Sequence, residues 1–357
     1  MTRATRHATS GFSLIELLFA TALLLIISAI VTSALLQMTN SQKTIWNRTE
    51  MHSGIRGATE LLQQEVGQAG KISLPNPGGL KNPLTITQAI NDVGGAAPAA
   101  QVTCNPATPA VGAVPVTVSS TAGLWATTGA TESYINLTTL DGDFQESVRV
   151  AAITNATTLQ ACFTKKHLAG TVLRPLGGFA TGIVPPAVDN NGVALVVNGF
   201  ANGSDLTTLK LYGDVNSDGD MVYIEYTCDY VSNPKSFYRV VKKLNDATAK
   251  QKPTAADVLL SNIIPNPGAE DKGCFAYQPI TVNVDGTPFT FVLDVAVTLT
   301  VESEERDPLT KQKQKETKAL LNVSPRNVFA TWAFAGMSYT DRIQSTPTRV
   351  LELLPPA

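Results

Sequence analysis

Charge is scarce in this chain. Asp, Glu, Lys and Arg make up 16% of its 357 residues, and 27 basic against 29 acidic side chains leave a formal net charge of −2. That balance, with no basic stretch interleaved with aromatic residues, gives no support to nucleic-acid binding. Histidine is rarer still, and after residue 11 only His52 and His167 remain. Neither stands beside a Ser or Cys nucleophile motif. Gly-x-Ser-x-Gly, His-Glu-x-x-His and a phosphate-binding Gly-rich loop are all missing. An enzyme is therefore not expected: the two histidines read as solvated or structural, and Asp141, Asp143 and Glu146 as turn residues. Cysteine is limited to Cys104, Cys162, Cys228 and Cys274, too widely spaced for a Cys-x-x-Cys metal or redox motif. Outside the cytoplasm they allow up to two disulfides in three pairings. The sequence-local pairing, Cys104 with Cys162 and Cys228 with Cys274, is preferred, and free buried thiols are the alternative.

What the chain does have is one long apolar run. Between Phe12 and Leu36 the only charge is Glu16. As a helix this run is about 37 Å long, enough to cross a hydrocarbon core of about 30 Å. A carboxylate inside such a segment costs about 2.5–3.5 kcal/mol if it reaches the bilayer centre, so it calls for a partner. The short segment before it carries Arg3 and Arg6 and no acid, which keeps that end in the cytoplasm and puts everything after Leu36 outside. An ordinary signal anchor, or a secretory signal cut near Ser33, is the alternative, but an acid inside the apolar region argues against both.

Gly11-Phe12-Ser13-Leu14-Ile15-Glu16-Leu17 after a short basic leader resembles the N-terminal signature of type IV prepilins and type II secretion pseudopilins. The resemblance implies cleavage between Gly11 and Phe12 by a prepilin peptidase, N-methylation of Phe12, and an assembly contact between the Glu16 carboxylate of one subunit and the Phe12 amine of its neighbour. Glu16 lies four residues after Phe12, one helical turn away. A second stretch, Arg56-Gly57-Ala58-Thr59-Glu60-Leu61-Leu62-Gln63-Gln64-Glu65-Val66-Gly67-Gln68-Ala69-Gly70, resembles the end of the first helix in PilW-type minor pilins and the related J-type pseudopilins. The acidic-Pro hairpin Glu304-Glu305-Arg306-Asp307-Pro308, followed by a polar strand and Pro325-Arg326-Asn327, resembles the C-terminal signature of the same minor pilin group.

The chain divides as follows. Residues 1–11 are the leader. Residues 12–70 form one helix, transmembrane over 12–36. In its second half Met51, Ile55, Ala58, Leu62 and Val66 make one apolar stripe, with Arg48, Arg56, Glu60 and Glu65 largely elsewhere. Gly67, Gly70 and the following Pro/Gly cluster end it. Residues 71–111 are turn-rich and read as a linker or loop. Residues 112–174 read as a small inserted β unit, the alternative being that its strands extend the head sheet. Residues 175–331 are a β-rich head, and 332–357 a tail whose final prolines read as disordered or surface-bound. Low charge with many Gly, Pro, Thr and Val fits such a head outside the cytoplasm.

Asp214-Val215-Asn216-Ser217-Asp218-Gly219-Asp220 fits the string of a calcium loop, with Glu225 at the twelfth position. Side chains of Asp214, Asn216, Asp218 and Glu225, with the Asp220 carbonyl, are the candidate Ca²⁺ ligands. Both flanks are strand-like, so an Asp/Asn/Gly hairpin turn that needs no ion is the competing reading.

Taken together these features predict an α+β, type IV pilin-like fold: a long N-terminal helix, then a β-rich head with a small inserted β unit. The resemblance implies a structural minor pilin of a type IV pilus, active in assembly initiation or at the tip. Its partners would be other pilins, minor pilins and the prepilin peptidase. It would sit as a single-pass protein in the bacterial inner membrane with the head in the periplasm, then in the pilus. A minor pseudopilin of a type II secretion system, or a tip adhesin, is the alternative. No cofactor is expected beyond the candidate Ca²⁺.

Overall fold

In the computed structural model the described residues are 13–72, 84–90, 113–121, 136–176, 179–188, 202–244, 246, 248–267, 273–284, 287–337, 343–344 and 346–356. The fold is α+β: a long N-terminal helix, α1 (Leu14–Gln68), is followed by a head of antiparallel sheets. The chain forms two compact units, residues 1–53 with 302–315, and residues 54–301 with 316–357.

The first unit holds the apolar part of α1 and the turn between two long strands, β14 (Thr287–Arg306) and β15 (Lys313–Val323). That turn is the acidic-Pro hairpin. Asp307 is buried at its centre, where its carboxylate accepts the N–H groups of Leu309 and Thr310 at 2.7 and 3.1 Å and the side-chain amide of Gln314. The Thr44 hydroxyl of α1 also bonds to it. An Asp at the first position of a tight turn satisfies backbone donors that would otherwise be orphaned.

The second unit contains three main sheets. The first is a six-stranded sheet in the order β1 (Leu84–Thr85), β6 (Val172–Leu176), β3 (Asn136–Thr139), β4 (Ser147–Asn155), β5 (Thr158–Ala161), β2 (Val114–Thr117). It encloses its own core, including Leu84, Ile86, Ile90, Val116, Leu137, Leu159 and Phe163. Within the stretch read as linker or loop, 71–111, Leu84–Thr85 form β1, and Ile86 and Ile90 pack into this core. The apolar side chains at 84 and 86 alternate with Thr, the period of a half-buried strand, a pattern hidden in the sequence by the turn-rich residues around it.

The second sheet is β11 (Val258–Ser261), β10 (Ser236–Lys243), β9 (Val222–Asp229), β8 (Thr208–Gly213). The third has β14 at its centre, flanked by β12 (Ile263–Ile264), β13 (Phe275–Val284) and β15. Tyr226, Phe237, Phe275 and Tyr277 stack in series at 5.5–6.4 Å and join these two sheets. A short parallel pair, β7 (Phe179–Ala180) with β16 (Ile343–Gln344), packs beside α2 (Arg326–Gly336).

All five residues of the expected helical stripe, Met51, Ile55, Ala58, Leu62 and Val66, are buried. The helix stops where Gly70 takes φ +82 and comes against Gly182: a Cβ on Gly70 would lie 2.7 Å from the Ala180 carbonyl oxygen. The Gly70 N–H then donates to Tyr212 and its carbonyl accepts from Ala180, so the chain leaves the helix directly into the sheet region. Gly67 meets no such contact.

In the tail expected over 332–357 the final prolines, Pro355 and Pro356, are exposed, but residues before them belong to the fold. A last short helix, α3 (Thr348–Leu353), buries Val350, Leu353 and Leu354 in a cluster with Ile72, Tyr212, Tyr223 and Leu244. The apolar side chains recur at i, i+3 and i+4, which is helical spacing over too short a stretch to stand out.

Candidate functional site: the N-terminal helix and the groups that anchor it

Ser13 starts the helix. Its carbonyl accepts the N–H groups of Glu16 and Leu17 at 3.0 and 3.1 Å. Glu16 then stands in the first turn, where a carboxylate is favoured by the helix dipole. From Leu14 to Met38 the apolar side chains are exposed, and none of the most apolar 18-residue window is covered by the rest of the protein. The hydroxyls of Thr21 and Thr39 fold back onto the carbonyls of Leu18 and Leu35 at 3.0 and 2.9 Å, which removes their need for water. Gly11 and Phe12 lie outside the described residues.

Further along, Glu65 anchors the helix to the second sheet. It is buried, forms an ion pair with the Arg239 guanidinium of β10, and accepts the hydroxyl of Tyr226 on β9. Burial pushes the Tyr226 phenol up, and the adjacent Glu65 charge adds to it, so this hydroxyl stays a donor. Gly54 admits β11: a Cβ there would lie 3.1 Å from a Leu260 methyl. The sequence reading set Glu65 off the apolar stripe, whereas the 51, 55, 58, 62, 65 spacing of three and four places it on the buried face. A lone acid at a core position was the available signal for an ion-paired anchor.

The five candidate calcium ligands are not brought together. Asp214 is buried and its carboxylate accepts the N–H groups of Asp218 and Gly219 at 3.1 and 3.4 Å, while Asp218 accepts that of Asp220 at 2.9 Å. The loop thus closes on its own backbone, with Ser217 and Gly219 at positive φ. Asp220 pairs with Lys243. Glu225 is in the middle of β9, where it accepts the Tyr223 hydroxyl at 2.6 Å and pairs with Lys250 at 2.8 Å. Among the described residues no three His, Cys, Asp or Glu side chains converge on a metal position. The hairpin-turn reading describes this geometry, because strand β9 carries Glu225 away from the loop that Asp214 closes.

Cys228 and Cys274 form a disulfide that ties β9 to the start of β13. Cys162 is disulfide-bonded as well, and Cys104 lies outside the described residues. His52 is on the exposed face of α1. His167, by contrast, is fully buried beside the six-stranded sheet. One ring nitrogen bonds to Asp141 and the other to Glu146 at 2.7 Å. Thus two of the acids read as simple turn residues hold a histidine, and separations of 26 and 21 residues left no local pattern by which to see it.

Residues 6–32 match the family described as the prokaryotic N-terminal methylation motif, a type IV pilin-like signal. The chain therefore carries the mark of a type IV pilin- or pseudopilin-like precursor, on a helix apolar and long enough to anchor in a membrane. No curated protein sequence and no solved structure matches the chain.

Proposed function

We propose that this protein is a non-enzymatic, structural minor pilin of a type IV pilus, acting at assembly initiation or at the tip. The observation that carries this reading is the methylation motif on a helix whose apolar side chains from Leu14 to Met38 are uncovered. Such a helix is stable in only two settings, lipid or a bundle of like helices. A filament subunit uses both in turn. The prepilin peptidase cuts between Gly11 and Phe12, Phe12 is N-methylated, and the helix waits in the inner membrane with the head in the periplasm before joining other pilins and minor pilins. A type II secretion pseudopilus would use the same helix. The six-stranded sheet with its own core favours a pilus, since it enlarges the head with surface that a filament can present.

Mass spectrometry of the protein recovered from membranes is the direct test. A mature N-terminus at Phe12 carrying one methyl group is expected. An N-terminus near Ser33, or an uncut chain in cells with an active peptidase, overturns the reading.

A further inference from the structure

We infer that the head binds a small neutral saccharide or polyol in a cavity at the edge of the second sheet, a property independent of the filament role. The cavity has a volume of about 470 Å³ and is bounded by Pro186, Leu206 and Tyr277 together with Asp205, Lys210 and Glu225. That size and this mixture of apolar wall with a few polar groups suit a small ligand. Lys210 of β8 and Glu225 of β9 are directly opposed in the antiparallel register, so both side chains leave the sheet on the same face.

The polar groups of the wall are only partly used. The buried Lys210 ammonium donates to the carbonyls of Asn202 and Leu354 at 2.9 and 2.8 Å, which leaves one of its three hydrogens without an acceptor among the described residues. Glu225 takes both of its bonds, from Tyr223 and from Lys250, on Oε2, leaving Oε1 open. Asp205 takes the N–H groups of Thr207 and Thr208 and the Thr207 hydroxyl on Oδ1, leaving Oδ2 open. The wall thus offers one donor and two acceptors.

Charge decides the class of ligand. An anion would bond to Lys210 but meet two carboxylates, and a cation would meet Lys210 with Lys250 just behind Glu225. A hydroxyl accepts from the ammonium and donates to a carboxylate at once. Adjacent hydroxyls on an apolar ring therefore satisfy all three open valences without bringing a charge, while the ring face lies on the proline, leucine and tyrosine walls. The side chain of Lys210 also ties down the C-terminal helix through Leu354, so Lys210→Met risks unfolding this edge. Leu206 is 47% exposed, and Leu206→Trp fills the cavity from its solvent side without touching the core.

The test is saturation-transfer NMR on the full chain in lauryldimethylamine oxide micelles, a detergent without a sugar headgroup. The probes are glucose, galactose and N-acetylglucosamine, with acetate and ethanolamine as charged controls. Transfer to at least one sugar is expected, with affinity reduced roughly tenfold or more in Leu206→Trp, while circular dichroism is unchanged and both charged controls are silent. No transfer to any of the three sugars, transfer unaltered in Leu206→Trp, or transfer to acetate or ethanolamine instead would overturn the inference.

Discussion

His167 has both ring nitrogens committed to carboxylates, and only the imidazolium carries an N–H on each. Burial opposes that charge and is the largest single effect. The bonds that His167 donates to Glu146 and Asp141, with their negative charges, together outweigh it and hold His167 above its ordinary value. Burial also disfavours the Glu146 carboxylate. The bonds from His167, from the N–H of Lys165 and from Thr164 prevail and hold it below its ordinary value. Two opposed pH limits follow. The His167 contribution to stability is fully present below about pH 6.5 and is lost as pH rises through the raised value. The Glu146 contribution is present above about pH 4.5 and is lost as pH falls through the lowered one. The six-stranded sheet should therefore be most stable in mildly acid solution. Melting curves of the full chain from about pH 5 to pH 9 should show a falling transition for the wild type, and a flatter one for His167→Gln, whose carboxamide bonds without titrating. A wild-type curve that is level above pH 6.5 would rule out the imidazolium form.

At the scale of elements, legibility followed pattern length. The stripe of α1 runs over four turns, so its helical state and the apolar part of its buried face are legible in the sequence. The polar strand expected after the hairpin is β15, and its turn was marked by Asp307-Pro308. Shorter elements had too few residues for a period to show. The two-residue β1 was lost among prolines and glycines, and six-residue α3 looked like a tail. Neither is stable by propensity. The N-cap of α3 is Pro347, which makes no side-chain cap, and so few residues cannot form a helix in water. Tertiary contacts hold it instead: Arg349 donates to the carbonyls of Asp246 and Thr248 at 2.7 and 2.8 Å, and Leu353 is buried in the cluster under Tyr212 and Tyr223. Leu353→Ala should cost about 2–4 kcal/mol and lower the melting temperature of the full chain, whereas alanine at exposed Glu352 should leave it nearly unchanged. Equal melting of both variants with the wild type would mean that α3 is not part of the folded core.

Across the whole molecule, the first helix and the head were legible to different degrees. The helix could be read because lipid imposes one composition on any chain that crosses it, and because a peptidase reads a linear string. The charge clusters assemble residues from far apart in sequence, so the partners of Glu65, His167 and Lys210 emerge only from the fold. Glu16 belongs to neither part alone. Among the described residues it makes no ion pair, and the helix around it is apolar, so a second molecule must supply the countercharge if Glu16 is to enter a filament core. Replacing it by alanine makes insertion cheaper, by up to about 3 kcal/mol if the site reaches mid-bilayer. Anchoring should therefore be undamaged, and on the proposed reading only the contact between subunits should be lost. Cells producing Glu16→Ala should hold normal amounts of processed protein in the inner membrane fraction and little of it in sheared filaments. Wild-type incorporation of Glu16→Ala would show that the carboxylate is not the assembly contact, while loss of the variant from the membrane would show that Glu16 acts earlier, in insertion or processing.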